Sequence, residues 1–261
     1  MTWAAFTSEW TKLKRTTLLL STFLGLAAAA SLFVILLFSQ APATGDGGGL
    51  PSLEQLARPN GLILGVTRAT MLLGVVAFGI AAAQAASEYS LGTLRQLLVR
   101  QPRRLVLLAG KFLGVVTFLL AALLFASVVA FVVAVLAAHA RHVSTAAWFT
   151  ATGIGDLLRA LGDIGLAVIG FSVLGLAIGL FMRSAVFAVI AGLAWVIAIE
   201  NIIVRIVPGT VNWLPGASLE TIAAGGNSTT SYGHGLIVAA VYLLAALTAT
   251  AITFARSDVT A

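Results

Sequence analysis

The sequence predicts an all-α membrane protein: six transmembrane helices, an N-terminal interfacial elbow helix, and a cytoplasmic helix between helices 2 and 3. Three observations predict it. Only 9% of the 261 residues are charged while 60% are hydrophobic, the mean hydropathy is +1.06, and uncharged apolar runs exceed what the core of a soluble domain needs. A helix rising about 1.5 Å per residue needs roughly 20 apolar residues to cross a bilayer core of about 30 Å. The whole chain, 1–261, reads as one transmembrane domain.

Residues 1–15 form the elbow. Trp3, Phe6, Trp10 and Leu13 fall on one side of a helix, and Ser8, Glu9, Lys12 and Arg15 on the other, with Lys14 at the boundary. Two readings stand: a helix lying in the membrane surface with its lysines on anionic lipid, or cations that only orient the first membrane helix. The first apolar run, 16–40, is followed by Ala41-Pro42-Ala43 and imitates a signal peptide, but it is far longer than a signal's apolar region of about 7 to 15 residues. It reads as a membrane helix.

The second membrane helix is expected over 62–87, combining Leu62 to Thr67 with Ala69 to Ser87. The others are expected over 106–138, 163–182, 184–206 and 235–255. Between the second and third lies 87–104, charged and amphipathic. Leu91, Leu94, Leu97 and Leu98 make one apolar stripe, Glu88, Arg95, Gln96 and Arg100 lie off it, Gly92 permits close approach, and Pro102 breaks the helix. An ordinary short loop needs none of this. The segment 207–234 contains Trp213-Leu214-Pro215-Gly216 and then Gly225-Gly226-Asn227, and reads as an outer re-entrant loop. Residues 154–161, with Trp148 nearby, read as a short surface helix, and Gly45 to Gly49 as a flexible loop.

Positive charge sets orientation, because cytoplasmic loops retain Lys and Arg. With both termini inside, ten of the 15 basic residues are cytoplasmic, Lys12, Arg95, Arg104 and Lys111 among them, against Arg58, Arg68, Arg141, Arg159 and Arg205. The expected location is the plasma (inner) membrane. A pI near 10.5 points to anionic headgroups rather than nucleic acid, since the basic residues flank apolar runs. With no cysteine in the chain, neither a disulfide framework nor a cysteine metal site is expected. His139, His142 and His234 lack supporting carboxylates, so no metal is assigned.

Intramembrane charges are costly. Arg68, Glu200 and Asn201 make a candidate outer gate or substrate contact, against the alternative that such side chains snorkel to the interface. Spacings such as Gly175-x-x-x-Gly179 permit close helix packing without identifying a dimer face. Neither a catalytic Ser, His and Asp arrangement nor a phosphate-cradling loop is found, since Gly110-Lys111 is followed by Phe112 in an apolar run.

Glu88-Tyr89-x-x-Gly92-Thr93-Leu94-Arg95, followed by Pro102-x-Arg104, resembles the coupling segment of type-2 ABC transporter permeases. So do a Glu-Trp-x-Lys-Leu elbow at Glu9 to Leu13, Leu214-Pro215-Gly216 between the last two membrane helices, and the tail from Phe254 to Val259. Ser257, which separates Arg256 from Asp258, departs from the family pattern. The resemblance implies a permease subunit of an exporter, without its own ATPase site or cofactor. It pairs with a second membrane subunit, as homodimer or related heterodimer, and with two cytoplasmic subunits that bind ATP and Mg. Docking would fall to Glu88, Tyr89, Leu91, Gly92, Thr93, Leu94, Arg95 and Leu97, and the substrate would be an apolar or amphiphilic drug, antibiotic peptide or lipid. The alternatives are a secondary transporter or channel using Glu200 and Asp163, and a membrane anchor for a soluble enzyme.

Overall fold

The computed structural model describes residues 2–43, 50–61, 64, 70–90, 104–182, 184–207 and 209–256. Their order is α1 (Thr2–Leu13), α2 (Thr16–Gln40), α3 (Leu53–Leu56), α4 (Thr70–Ser90), α5 (Arg104–Ala140), a 3-10 turn (Ala146–Phe149) and α6 (Ala151–Met182). Then come α7 (Ala185–Leu193), a π turn (Ala194–Ile199), α8 (Glu200–Ile206), a 3-10 turn (Thr210–Trp213), α9 (Pro215–Ala223) and α10 (Tyr232–Arg256). No sheet occurs among the described residues. Lipid offers no partner for backbone N–H and C=O groups, and helices satisfy them within one segment.

The expectation of six membrane helices is corrected. Among the described residues, five helices are long and apolar enough to cross a membrane: Thr16–Gln40, Leu105–Ala140, Ala151–Met182, Ala185–Ile206 and Tyr232–Phe254. The predicted second one is not among them, because its described apolar part is Leu73–Ser87. A full span there requires joining 62–67 to 69–87 across the charge of Arg68, and a run bracketed by Arg68 and Glu88 has little apolar length to spare. The chain is a multi-pass α-helical membrane protein.

Two further boundaries differ from expectation. The surface helix read over 154–161 and the membrane helix read over 163–182 are one continuous helix, α6. Nothing between them breaks a helix, because Gly162 and Asp163 lack the steric block that a proline would supply. The run 185–206 is composite, with α7 and α8 joined through the π turn.

The chain forms two compact units, one of residues 1–15, 74–119 and 166–261, the other of 16–73 and 120–165. In the second unit, Ala30, Val34, Leu37 and Phe38 of α2 and the alanine row Ala130, Ala134 and Ala138 of α5 are buried in one core. Alanines four apart line one helix face and keep it thin, which lets two backbones approach closely. Trp148 closes this core, donating from Nε1 to the Leu56 carbonyl at 2.9 Å with Phe38 edge-on at 6.3 Å. Ser52 and Gln55 form a reciprocal capping box that starts α3. Arg141 donates to the Ser39 and Ala41 carbonyls at 3.0 and 3.2 Å, satisfying groups left open at the end of α2.

The first unit is packed on glycines. A Cβ at Gly175 would lie 2.3 Å from the Phe78 carbonyl oxygen, and one at Gly179 2.4 Å from that of Ala82. The Gly175-x-x-x-Gly179 spacing therefore serves packing of α6 on α4 within the chain. Gly192 of α7 leaves the space that the Phe78 ring fills. Lys111 of α5 is buried and donates from Nζ to the Gln84 carbonyl of α4 at 3.1 Å. In α1, Phe6 and Trp10 stack at 5.9 Å, Trp10 meets the Phe118 ring edge-on at 6.5 Å, and Lys14 Nζ sits 5.7 Å over Trp10.

Candidate functional site

The most built polar arrangement lies where α8 meets α9. A π turn closes on i to i+5 hydrogen bonds. Residues five apart, which an α-helix at 3.6 residues per turn would place on well-separated faces, come round to one side. Trp195 and Glu200 have that spacing, and Trp195 Nε1 donates to Glu200 Oε1 at 2.8 Å.

Glu200 is buried, with 5% of its surface exposed, and its carboxylate occupies the N-terminus of α9. Gly216 N–H donates to Oε1 at 2.9 Å and Ala217 N–H to Oε2 at 3.0 Å. The local sequence explains why this acceptor comes from another helix. Leu214 stands at the N-cap with no polar atom to offer, and Pro215 at the first helical position has no N–H. The next two donors need an acceptor, and a carboxylate also suits the positive end of the helix dipole. Gly216 is small for a direct reason: a Cβ there would stand 2.6 Å from Glu200 Oε2.

α9 is buried along most of its length, with the Leu219 side chain under Gly170 of α6 and Ser218 and Thr221 beside Gly235 of α10. Its last turn unwinds through Gly225 and Gly226 at φ of +72° and +99°, in the left-handed region that glycine accepts freely. Asn227 then organises the return, accepting from Thr229 N–H at 3.0 Å and Thr230 N–H at 2.7 Å while its Nδ2 donates to Thr221 Oγ1 at 3.3 Å. Thr230 Oγ1 donates to Asn212 Oδ1, and His234 Nε2 lies 2.9 Å from the Asn212 carbonyl with its ring edge-on to Trp213. Polar contacts therefore tie the turn before α9 and the loop after it to the start of α10.

Glu220, on the same helix, has its carboxyl held above the usual carboxylate range, first by burial and second by the nearby charge of Glu200.

Of the predicted gate residues, the structure sets Glu200 in this clasp and sends Asn201 elsewhere. Asn201 is exposed, and its Nδ2 donates to the Ile197 carbonyl of its own helix at 2.9 Å. Arg68 lies outside the described residues, as do Leu91, Gly92, Thr93, Leu94, Arg95 and Leu97 of the predicted docking segment and Gly45 to Gly49. The side chains of Glu88, Tyr89, Trp3 and Glu9 are also outside the described set. Of the elbow residues, Phe6 and Lys12 are half-buried on α1, and Trp10 holds the ring contacts given above. Asp163 lies on α6. Sequence reasoning missed Trp195 and Glu220. A signal for the clasp did exist: a helix opening on Leu-Pro has no cap of its own, and Glu200 is the one acidic residue in the preceding apolar run.

No curated protein matches the chain. Residues 63–260 match the family model described as "Protein of unknown function (DUF2705)". That match takes in α4 through α10 with the clasp, most of the first compact unit and about half of the second, and the chain belongs to this family.

Proposed function

We propose that this chain is the membrane permease subunit of an ATP-driven ABC exporter that moves an apolar or amphiphilic substrate across the plasma membrane. The cytoplasmic ATP-binding subunits, two per complex, bind ATP and Mg, and a second membrane subunit completes the path. The observation that carries this reading is the segment from Ser87 to Arg104, whose Glu-Tyr-x-x-Gly-Thr-Leu-Arg pattern resembles a coupling segment. Its setting supports the same reading. The described part of α4 runs to Ser90 and that of α5 from Arg104, so the segment lies between two helices in the sequence. Lys111 Nζ, 3.1 Å from the Gln84 carbonyl, ties those helices together close to their junctions with it. A push on the segment would pass into both helices, as a rigid-body transmission requires. Leu91, Leu94 and Leu97 supply the affinity by burying in a groove of the partner, and Glu88 and Arg95 set its orientation.

The test is affinity purification of the full chain in mild detergent. An ATP-binding subunit is expected to come with it, the preparation is expected to hydrolyse ATP, and Leu94→Asp is expected to lose both at unchanged protein level. A homo-oligomer free of ATPase would refute this reading and favour secondary transport.

A further inference from the structure

We infer that α9 is not an independent plug but travels with Ala185–Ile206 as one moving part, with Glu200 as the positioning residue that joins them. This rests on reading the chain as a transport subunit only so far as motion matters; the joint itself stands on geometry.

Three observations carry it. First, the carboxylate accepts from both sides of the joint: Trp195 on its own helix, and Gly216 and Ala217 on α9. Second, parting the two leaves expensive groups behind. A buried carboxylate and two helix N-terminal N–H groups would all lose partners together, and neither Leu214 nor Pro215 offers a substitute. Third, the π turn sets both the carboxylate and its indole donor on one side of the helix. A π insertion persists where something depends on it, since the geometry is uncommon. The short link through Thr210–Trp213 adds little slack between the two pieces.

Opening of such a part leaves α10 behind rather than α8. On that side Ser218 and Thr221 pack against Gly235, and Leu219 packs on Gly170 of α6; none of these contacts carries a buried charge.

The experiment uses the complete chain in lipid nanodiscs, read by amide hydrogen exchange. In the natural protein, the amides of α8 and α9 are expected to exchange through one opening, at rates within about threefold. In Glu200→Ala, the 216–223 amides are expected to exchange at least tenfold faster while those of α10 keep their rate. Unchanged exchange over 216–223, or an equal rise in every helix, overturns the inference. Because the chain has no cysteine, a Glu200→Cys and Gly216→Cys double variant can be bridged cleanly with a short bifunctional thiol reagent. Bridging is expected to restore protection, and failure to restore it also counts against the joint. In vesicles that also hold the ATP-binding partner and a fluorescent amphiphilic dye, the bridged protein is expected to keep dye export. Loss of export on bridging, with the unbridged variant active, overturns the inference. Absence of ATP-driven export in the natural protein would instead count against the proposed function, with the exchange measurements still deciding the joint.

Discussion

Gly216→Ala should change sign with its background. The added methyl carbon would stand 2.6 Å from Glu200 Oε2 and 2.9 Å from Cδ and Oε1, against an ordinary carbon contact of about 3.5 Å. Glu200 must retreat, and its bonds from Gly216 and Ala217, at 2.9 and 3.0 Å, stretch or break. Hydrogen bonds to charged groups contribute about 1.5–3 kcal/mol each, and alanine gains up to about 1 kcal/mol over glycine within a helix. Loss of one to two bonds against that gain leaves a net cost of about 0.5–6 kcal/mol. At about 2–4 °C per kcal/mol, the melting temperature falls by several degrees. In Glu200→Ala the obstruction is gone, and the same substitution should stabilise by up to about 1 kcal/mol. Four proteins close this cycle: the natural chain, each single variant and the double, melted in detergent and followed by tryptophan fluorescence. An equal cost in both backgrounds would refute the reasoning, because it would place the need for glycine in the backbone rather than in the carboxylate.

Other outcomes follow from the same geometry. The Glu220 carboxyl is raised, chiefly by burial, so between its ordinary and its raised value the folded protein holds a proton that the unfolded chain has released. Stability therefore falls as pH rises through that window. Glu220→Gln should melt higher than the natural chain at neutral pH and converge with it toward about pH 4.3; parallel melting curves across that range would refute it. Gly175→Ala puts a carbon 2.3 Å from the Phe78 carbonyl oxygen. Backbone cannot swing aside as a side chain can, so α4 and α6 must separate, at a cost of about 1–3 kcal/mol or more. Gly155→Ala, at a position open to added atoms, is the control that should leave the melt unlowered.

Much of this chain was legible because lipid makes structure local. An apolar run in a membrane must satisfy its own backbone, so length and hydropathy alone announce a helix, as they do for Thr16–Gln40, Leu105–Ala140 and Tyr232–Phe254. Where charge interrupts the run, counting loses its footing, and 62–87 was overcounted for that reason. The join of 154–161 with 163–182 into α6 was missed because polar residues suggest a surface, whereas a helix ends only where its backbone is broken.

The sequence by itself determined that this is a multi-pass helical membrane protein, and it marked Glu200 as a charge in need of a reason and Leu214-Pro215-Gly216 as the opening of something after it. Tertiary structure alone decided that the two answer each other. A hydrogen bond across 16 residues of chain depends on where two helices stop and on a π turn that rotates one of them. Neither is written in hydropathy. Apolar length is a property of each segment alone, whereas a carboxylate's partner depends on where the fold brings a second helix.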